Sequence, residues 1–286
     1  MANNLSRAFS QLITLIMQKP SAATHRPYPK LRNFILDIMR EGRRKNVINL
    51  LMEAELDPIR QHIERYTTDH AIEQNQRITL TSFICKSFAN AVAEDKSIQA
   101  YRQGKSKLII FDEVDLAVMV ERDVDGHIMP ITQIVRAANL KGIDDISQEI
   151  RHAKTAAIGD TGPMNALDKV FFALPMVLRK IVWFVMRWDP HLFKQLVGTV
   201  GVTSMGMHAS GPAVVFPITP MTLTLSIGAI YKKLVLENGV AVERDFIQMN
   251  LGADHDIIDG APLMRFAERF KSTLQNGCAL SKNLST

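Results

Sequence analysis

The sequence predicts an α/β chain. Segments whose apolar residues recur at three and four alternate with apolar runs rich in β-branched residues. Asp125-Gly126 and Asn238-Gly239 stand between such runs, where a tight hairpin needs residues that tolerate positive φ. Apolar residues make up 47% of the chain, enough for a sizeable core. At 286 residues that core forms one large domain or two small ones.

The elements follow in order. In residues 5–18, Leu5, Phe9, Leu12, Ile13, Ile16 and Met17 share one helical face, and Lys19-Pro20 ends it. A loop follows to Pro29, so 1–29 reads as an N-terminal arm. It docks on a neighbouring subunit or packs on its own domain. Residues 31–40 form a second helix, with Leu31, Phe34, Ile35, Ile38 and Met39 in step. Residues 46–51 read as a strand, and 57–66 as a helix with Pro58 at its first turn. Residues 80–94 form a buried helix whose Ala-rich face allows close packing. Strands are predicted at 108–111, 116–120 and 127–131, then a helix at 144–156. A long apolar stretch at 171–188 is interrupted by Arg179, Lys180 and Arg187, and Pro175 breaks its helix. Residues 223–230 alternate as a half-buried strand, 241–252 form the next, and 262–275 form the final helix. The tail after 276 is polar.

Several function classes are excluded. The net charge is +5, but the only dense basic run, 40–45, has no interleaved aromatics, which argues against nucleic acid. The eight histidines and the two cysteines, Cys85 and Cys278, show no metal-ligand spacing. No phosphate-cradling glycine loop and no nucleophile elbow occurs. The start lacks a signal peptide, and no run of about 18 uninterrupted apolar residues exists. A cytoplasmic protein is the expectation.

The informative stretch is Ala253-Asp254-His255-Asp256-Ile257-Ile258-Asp259-Gly260-Ala261-Pro262. Its histidine suits proton transfer near neutral pH. Asp259, four residues on, either shapes the surroundings of His255 or caps the following helix.

His-x-x-x-Asp-Gly resembles the signature shared by chloramphenicol acetyltransferase, peptide-synthetase condensation domains and the dihydrolipoamide acyltransferase cores of 2-oxoacid dehydrogenase complexes. The fuller string, running into Arg265-Phe266-Ala267, is most similar to the acyltransferase cores. Two further segments support the resemblance in family order. Arg32-x-x-Ile35-x-x-x-Met39 resembles the arginine-bearing helix that opens these cores. Gly198-Thr199-Val200-Gly201-Val202-Thr203-Ser204-Met205-Gly206 resembles their Gly-Thr-Phe-Thr-Ile-Ser-Asn-x-Gly segment.

The resemblance implies a chloramphenicol acetyltransferase-like mixed sheet flanked by helices over residues 30–276, with an apolar helical insertion at 158–196 and a tail at 277–286. It implies a CoA-dependent acyltransferase that moves an acyl group between CoA and a thiol, or another acceptor. His255 would be the general base, Thr203 the oxyanion donor with Ser204 in reserve, and Arg32 the partner that fixes Asp259. Family sites lie between neighbours in a trimer, so a homotrimer or a multiple of trimers is expected. CoA would be a substrate, with no bound metal.

The sequence departs from the pattern at three points. Thr203 stands where the family has serine, Asp256 where it usually has arginine, and Ala253 where it has an aromatic residue. Lipoyl and subunit-binding domains joined by Ala/Pro-rich linkers are expected to be missing. A stand-alone enzyme without its own covalent lipoyl would then take that group from a separate lipoyl-bearing protein. The other function class is a non-catalytic oligomeric scaffold of an acyltransferase or dehydrogenase assembly. The insertion has three readings: a wall of an acyl pocket, a subunit contact, or a membrane-surface contact through 171–188.

Overall fold

Long strands alternate with amphipathic helices in the computed structural model, which describes residues 24, 32–73, 76–124, 127–155, 174–204 and 211–280. The chain divides into two units, 1–34 and 35–286. The expected helix at 5–18, the Asp125-Gly126 turn and the first part of the insertion lie outside the described residues.

Six strands form the main sheet: β1 (Val47–Glu55), β4 (Leu116–Val124), β5 (His127–Val135), β6 (Val200–Ser204), β7 (Leu223–Glu237) and β8 (Val240–Asp254). Their spatial order is β1-β8-β7-β6-β4-β5. β6 runs parallel to β4 and β7, and every other neighbouring pair is antiparallel. The expected mixed sheet is therefore present. The apolar run expected as a strand at 108–111 is instead a three-residue β3 (Lys107–Ile109). It pairs in a separate ribbon with β2 (Tyr101–Gln103), which the pattern did not signal.

Alternation gives the sheet two chemically different faces. Val118, Val120, Val200, Val202, Leu225, Met249 and Leu251 fall on one face and are buried in the core. The helices α3 (Leu80–Glu94) and α7 (Gly260–Gln275) supply core residues of their own, Phe88 against Phe266 and Phe270 at ring separations of 5.9 and 5.4 Å. Edge-on aromatic pairs of this kind contribute about 0.5–1.5 kcal/mol beyond their area. A reciprocal cap starts α3: Ser82 N donates to Thr79 Oγ1 at 3.1 Å, and Thr79 N donates to Ser82 Oγ at 3.0 Å.

On the other face Met119, Thr203, Ser226 and Asn250 stand level in one row across four strands. Part of this face is covered by the loop 211–222. At Gly228 an added Cβ would lie 2.3 Å from the Ala213 carbonyl oxygen, so only glycine lets the loop lie this close. The cover corrects the half-buried expectation for β7, whose first seven residues are all buried. At the far end of β7, Asn238 and Gly239 have φ of 50° and 81° and close the long hairpin to β8. Both central residues of such a turn need positive φ.

The remaining helices are α1 (Arg32–Gly42), α2 (Asp57–Asp69), α4 (Ile143–Thr155), α5 (Met176–Trp188) and α6 (Pro190–Val197). Pro175 precedes α5, as its ring requires at a helix start. Arg179 of α5 donates from Nε to Asp37 Oδ2 at 2.8 Å in a buried pair. Asp189 caps α6 by accepting from the N–H groups of His191 and Leu192.

Candidate active site

β8 ends at Asp254 and α7 begins at Gly260, so the histidine stretch is a short turn between strand and helix. Asp254 is 4% exposed and organises it. Its Oδ2 accepts from Lys45 Nζ at 2.6 Å, and its Oδ1 accepts from the Asp256 N–H at 3.2 Å. Its carbonyl accepts from the N–H groups of Ile257 and Ile258. His255 N donates to the Asn46 carbonyl at 2.7 Å, which ties the turn to the chain entering β1.

The His255 side chain is 46% exposed, and its Nδ1 lies 3.1 Å from the Ile258 carbonyl oxygen. A carbonyl only accepts, so this contact assigns the proton to Nδ1. In the neutral tautomer this contact selects, Nε2 carries the lone pair that a general base needs. Asp259 Oδ1 lies 3.6 Å from the same Nδ1. Asp259 occupies the position before α7, yet its side chain makes no capping hydrogen bond. The Asp259 side chain is 84% exposed and is beyond hydrogen-bond distance from the His255 ring. Asp256 points its charge elsewhere: Oδ1 accepts from Asn46 Nδ2 at 2.9 Å, and Oδ2 lies 4.0 Å from Arg102.

Thr203 is on β6 and 3% exposed, with its hydroxyl donating to Met119 Sδ at 3.9 Å. A thioether is a weak acceptor, so that O–H is available to a stronger one. Beside it in the row, Ser226 Oγ and Asn250 Oδ1 are buried without a hydrogen-bond partner among the described residues. The sequence reading missed these two. Their signal was polar residues at alternate positions of otherwise apolar strands. Ser204 lies on the opposite face from Thr203, so the two hydroxyls cannot serve one site.

Within one chain His255 and Thr203 are not together. Thr203 is level with Asn250, five residues before His255 and two strands away. Strand geometry puts their Cα atoms roughly 15–20 Å apart. Arg32 opens α1, in the N-terminal unit.

A cleft of about 450 Å³ lies behind the histidine turn. Asp254, Asp256 and Ile257 form one wall, and Trp183, Phe184 and Trp188 of α5 form another. Other chemistry finds no support here. Cys85 is fully buried, and burial pushes its thiol up to about 12, so it supplies no thiolate. Among the described residues no cluster of three His, Cys, Asp or Glu side chains could hold a metal ion. Among them, too, no helix is long and apolar enough to cross a membrane.

The model of the 2-oxoacid dehydrogenases acyltransferase (catalytic domain) matches residues 20–170 and 195–280. The chain belongs to this acyltransferase family. A curated relative is the dihydrolipoyllysine-residue acetyltransferase component of the pyruvate dehydrogenase complex of Rickettsia prowazekii. It is 22% identical over 227 residues, covering 79% of this chain and 48% of that protein. The chain spans about half the length of the curated relatives it matches. Among solved structures, the cubic core of the pyruvate dehydrogenase multienzyme complex superposes with a TM-score of 0.67 at 12% identity, covering 93% of this chain and 96% of that one. The dihydrolipoamide acetyltransferase of Azotobacter vinelandii superposes with a TM-score of 0.67 at 13% identity, covering 92% and 96%. The work on that structure concerned a serine, a histidine and an asparagine in its catalytic mechanism. The acyltransferase match stops at 170 and resumes at 195, so α5 lies in a stretch the family model passes over.

Proposed function

We propose that this acyltransferase moves an acyl group between CoA and a thiol, with His255 as the general base. The thiol is a lipoyl group carried on a separate protein, or another acceptor. The observation that carries the reading is the Ile258 carbonyl on His255 Nδ1, which selects the neutral tautomer with its lone pair on Nε2, on a half-exposed ring. The relatives' acetyltransferase names support the reaction class. The histidine and asparagine studied in the Azotobacter vinelandii enzyme are four residues apart, the spacing of His255 and Asp259.

A thiol of pKa near 8.5 is mostly protonated at neutral pH, and its thiolate is the nucleophile. His255 Nε2 takes the thiol proton as sulfur attacks the thioester carbonyl. The imidazolium that forms lies 3.6 Å from the Asp259 carboxylate, which stabilises it. Charge collects on the former carbonyl oxygen, and the Thr203 hydroxyl donates to it. The tetrahedral species then expels the second sulfur as a thiolate, which recovers the proton from His255. The separation of His255 and Thr203 within one chain supports a site shared between two subunits of a trimer, Thr203 coming from the neighbour.

The test is His255→Ala, assayed by thiol-dependent CoA release from acetyl-CoA with dihydrolipoamide as acceptor. Loss of a general base lowers kcat about a hundredfold or more. A near-normal rate overturns the assignment.

A further inference from the structure

We propose that the cleft between α5 and the histidine turn binds an aryl carboxylate, a flat apolar body with one anionic end. Its volume, about 450 Å³, is that of a small-molecule site. Two observations set the ligand class.

The first is the aromatic lining. Trp183, Phe184 and Trp188 of α5 line the cleft together with Tyr101 and Phe193. Rings stack on rings more favourably than alkyl chains do, so such walls favour a flat guest.

The second is the charge at the rim. Five cationic side chains line the cleft against three carboxylates. Lys45 is held by Asp254, and Arg102 lies near Asp256. Glu41 is shared by Arg44 at 3.4 Å and Arg187 at 3.6 Å, so it neutralises only one of them. Lys105 makes no ion pair among the described residues and is exposed. The excess charge favours an anion and disfavours a cation.

The site stands on these side chains and not on the acyl-transfer reading, so each can fail without the other.

The chain has two tryptophans, and both line this cleft. Intrinsic tryptophan emission therefore reports on the site without a label. Titration of the full chain with 3-phenylpropionate is expected to change the emission saturably. 3-Phenylpropanol lacks the charge, octanoate lacks the ring, and each should bind about tenfold more weakly or worse, a difference of about 1.4 kcal/mol. Lys105→Glu combined with Arg102→Glu, both at exposed positions, should weaken 3-phenylpropionate by about tenfold or more. Lys232→Glu on the β7 hairpin should leave it unchanged. No saturable change, equal binding of the alcohol, or octanoate as the tighter ligand overturns the proposal.

Discussion

Lys86 carries one of the least usual charges in the molecule. It lies on α3, 2% exposed, and donates to the carbonyls of Asn139 at 2.9 Å and Ala138 at 3.3 Å. Neither partner is charged, and burial lowers its pKa from 10.5 to about 8. Between those values the unfolded chain binds a proton that the folded chain does not. Stability therefore rises as pH increases from about 8 towards 10.5, and the contribution is unfavourable below that window. Lys86→Met is expected to flatten the rise, read as the difference between variant and parent in denaturant melts at pH 7.5 and pH 9. Equal slopes would reject the account. At this scale the sequence was informative where spacing alone decides. His255 and Asp259 sit four apart in one turn, so their proximity is local and readable. The Ile258 carbonyl that fixes the imidazole tautomer depends on the turn's path, and no residue identity encodes it. Ser226 and Asn250 enter the Thr203 row only through strand register, which joins positions more than twenty residues apart.

Helix α5 shows what an apolar pattern leaves open. Its buried face carries Arg179, Trp183 and Met186, while Val177, Ile181, Phe184 and Trp188 remain exposed in this chain. Apolar residues all round meant that periodicity could not say which face turned inward. Arg179 decides it, because a guanidinium this buried needs its carboxylate, and Asp37 on α1 supplies one. Breaking a buried pair by removing one partner costs roughly 3–5 kcal/mol, through the charge left behind. Arg179→Met is expected at the lower end of that range, since Arg40 also contacts Asp37 at 2.9 Å. The denaturant midpoint should fall without a change of slope. Asp37→Asn added to Arg179→Met should recover most of the loss. A single variant as stable as the parent would show that α5 is held by its apolar contacts instead. Strand ends were less legible than helix ends. β1, β4 and β5 each run four residues further than the apolar pattern indicates, because ladder pairing continues through polar positions such as Glu53, Glu121 and Gln133.

At the scale of the molecule, the histidine and the hydroxyl proposed for one reaction stand at distant points of one sheet. If neighbouring subunits share the site, two inactive variants repair one another. His255→Ala and Thr203→Val should each lose about a hundredfold or more in kcat, the latter by removing an oxyanion donor worth roughly 2.7–4 kcal/mol. Trimers assembled from both contain interfaces that pair an intact His255 with an intact Thr203, so co-expressed protein should regain activity well above either parent. Activity no higher than the single variants would place the reaction within one chain. The sheet order needed the resemblance, because an apolar β-branched run does not name its neighbour. The outer strands carry a further consequence. Pro130 sits within β5, opposite Glu121, and has no N–H to offer. Proline in a sheet belongs on an edge with that position turned outward, so β5 is a poor template for another strand. The opposite edge, β1, has nine paired residues and no proline. Strand-by-strand growth can begin at β1 but has no matching acceptor at β5, and this asymmetry guards a long, half-apolar sheet against open-ended polymerisation into fibres.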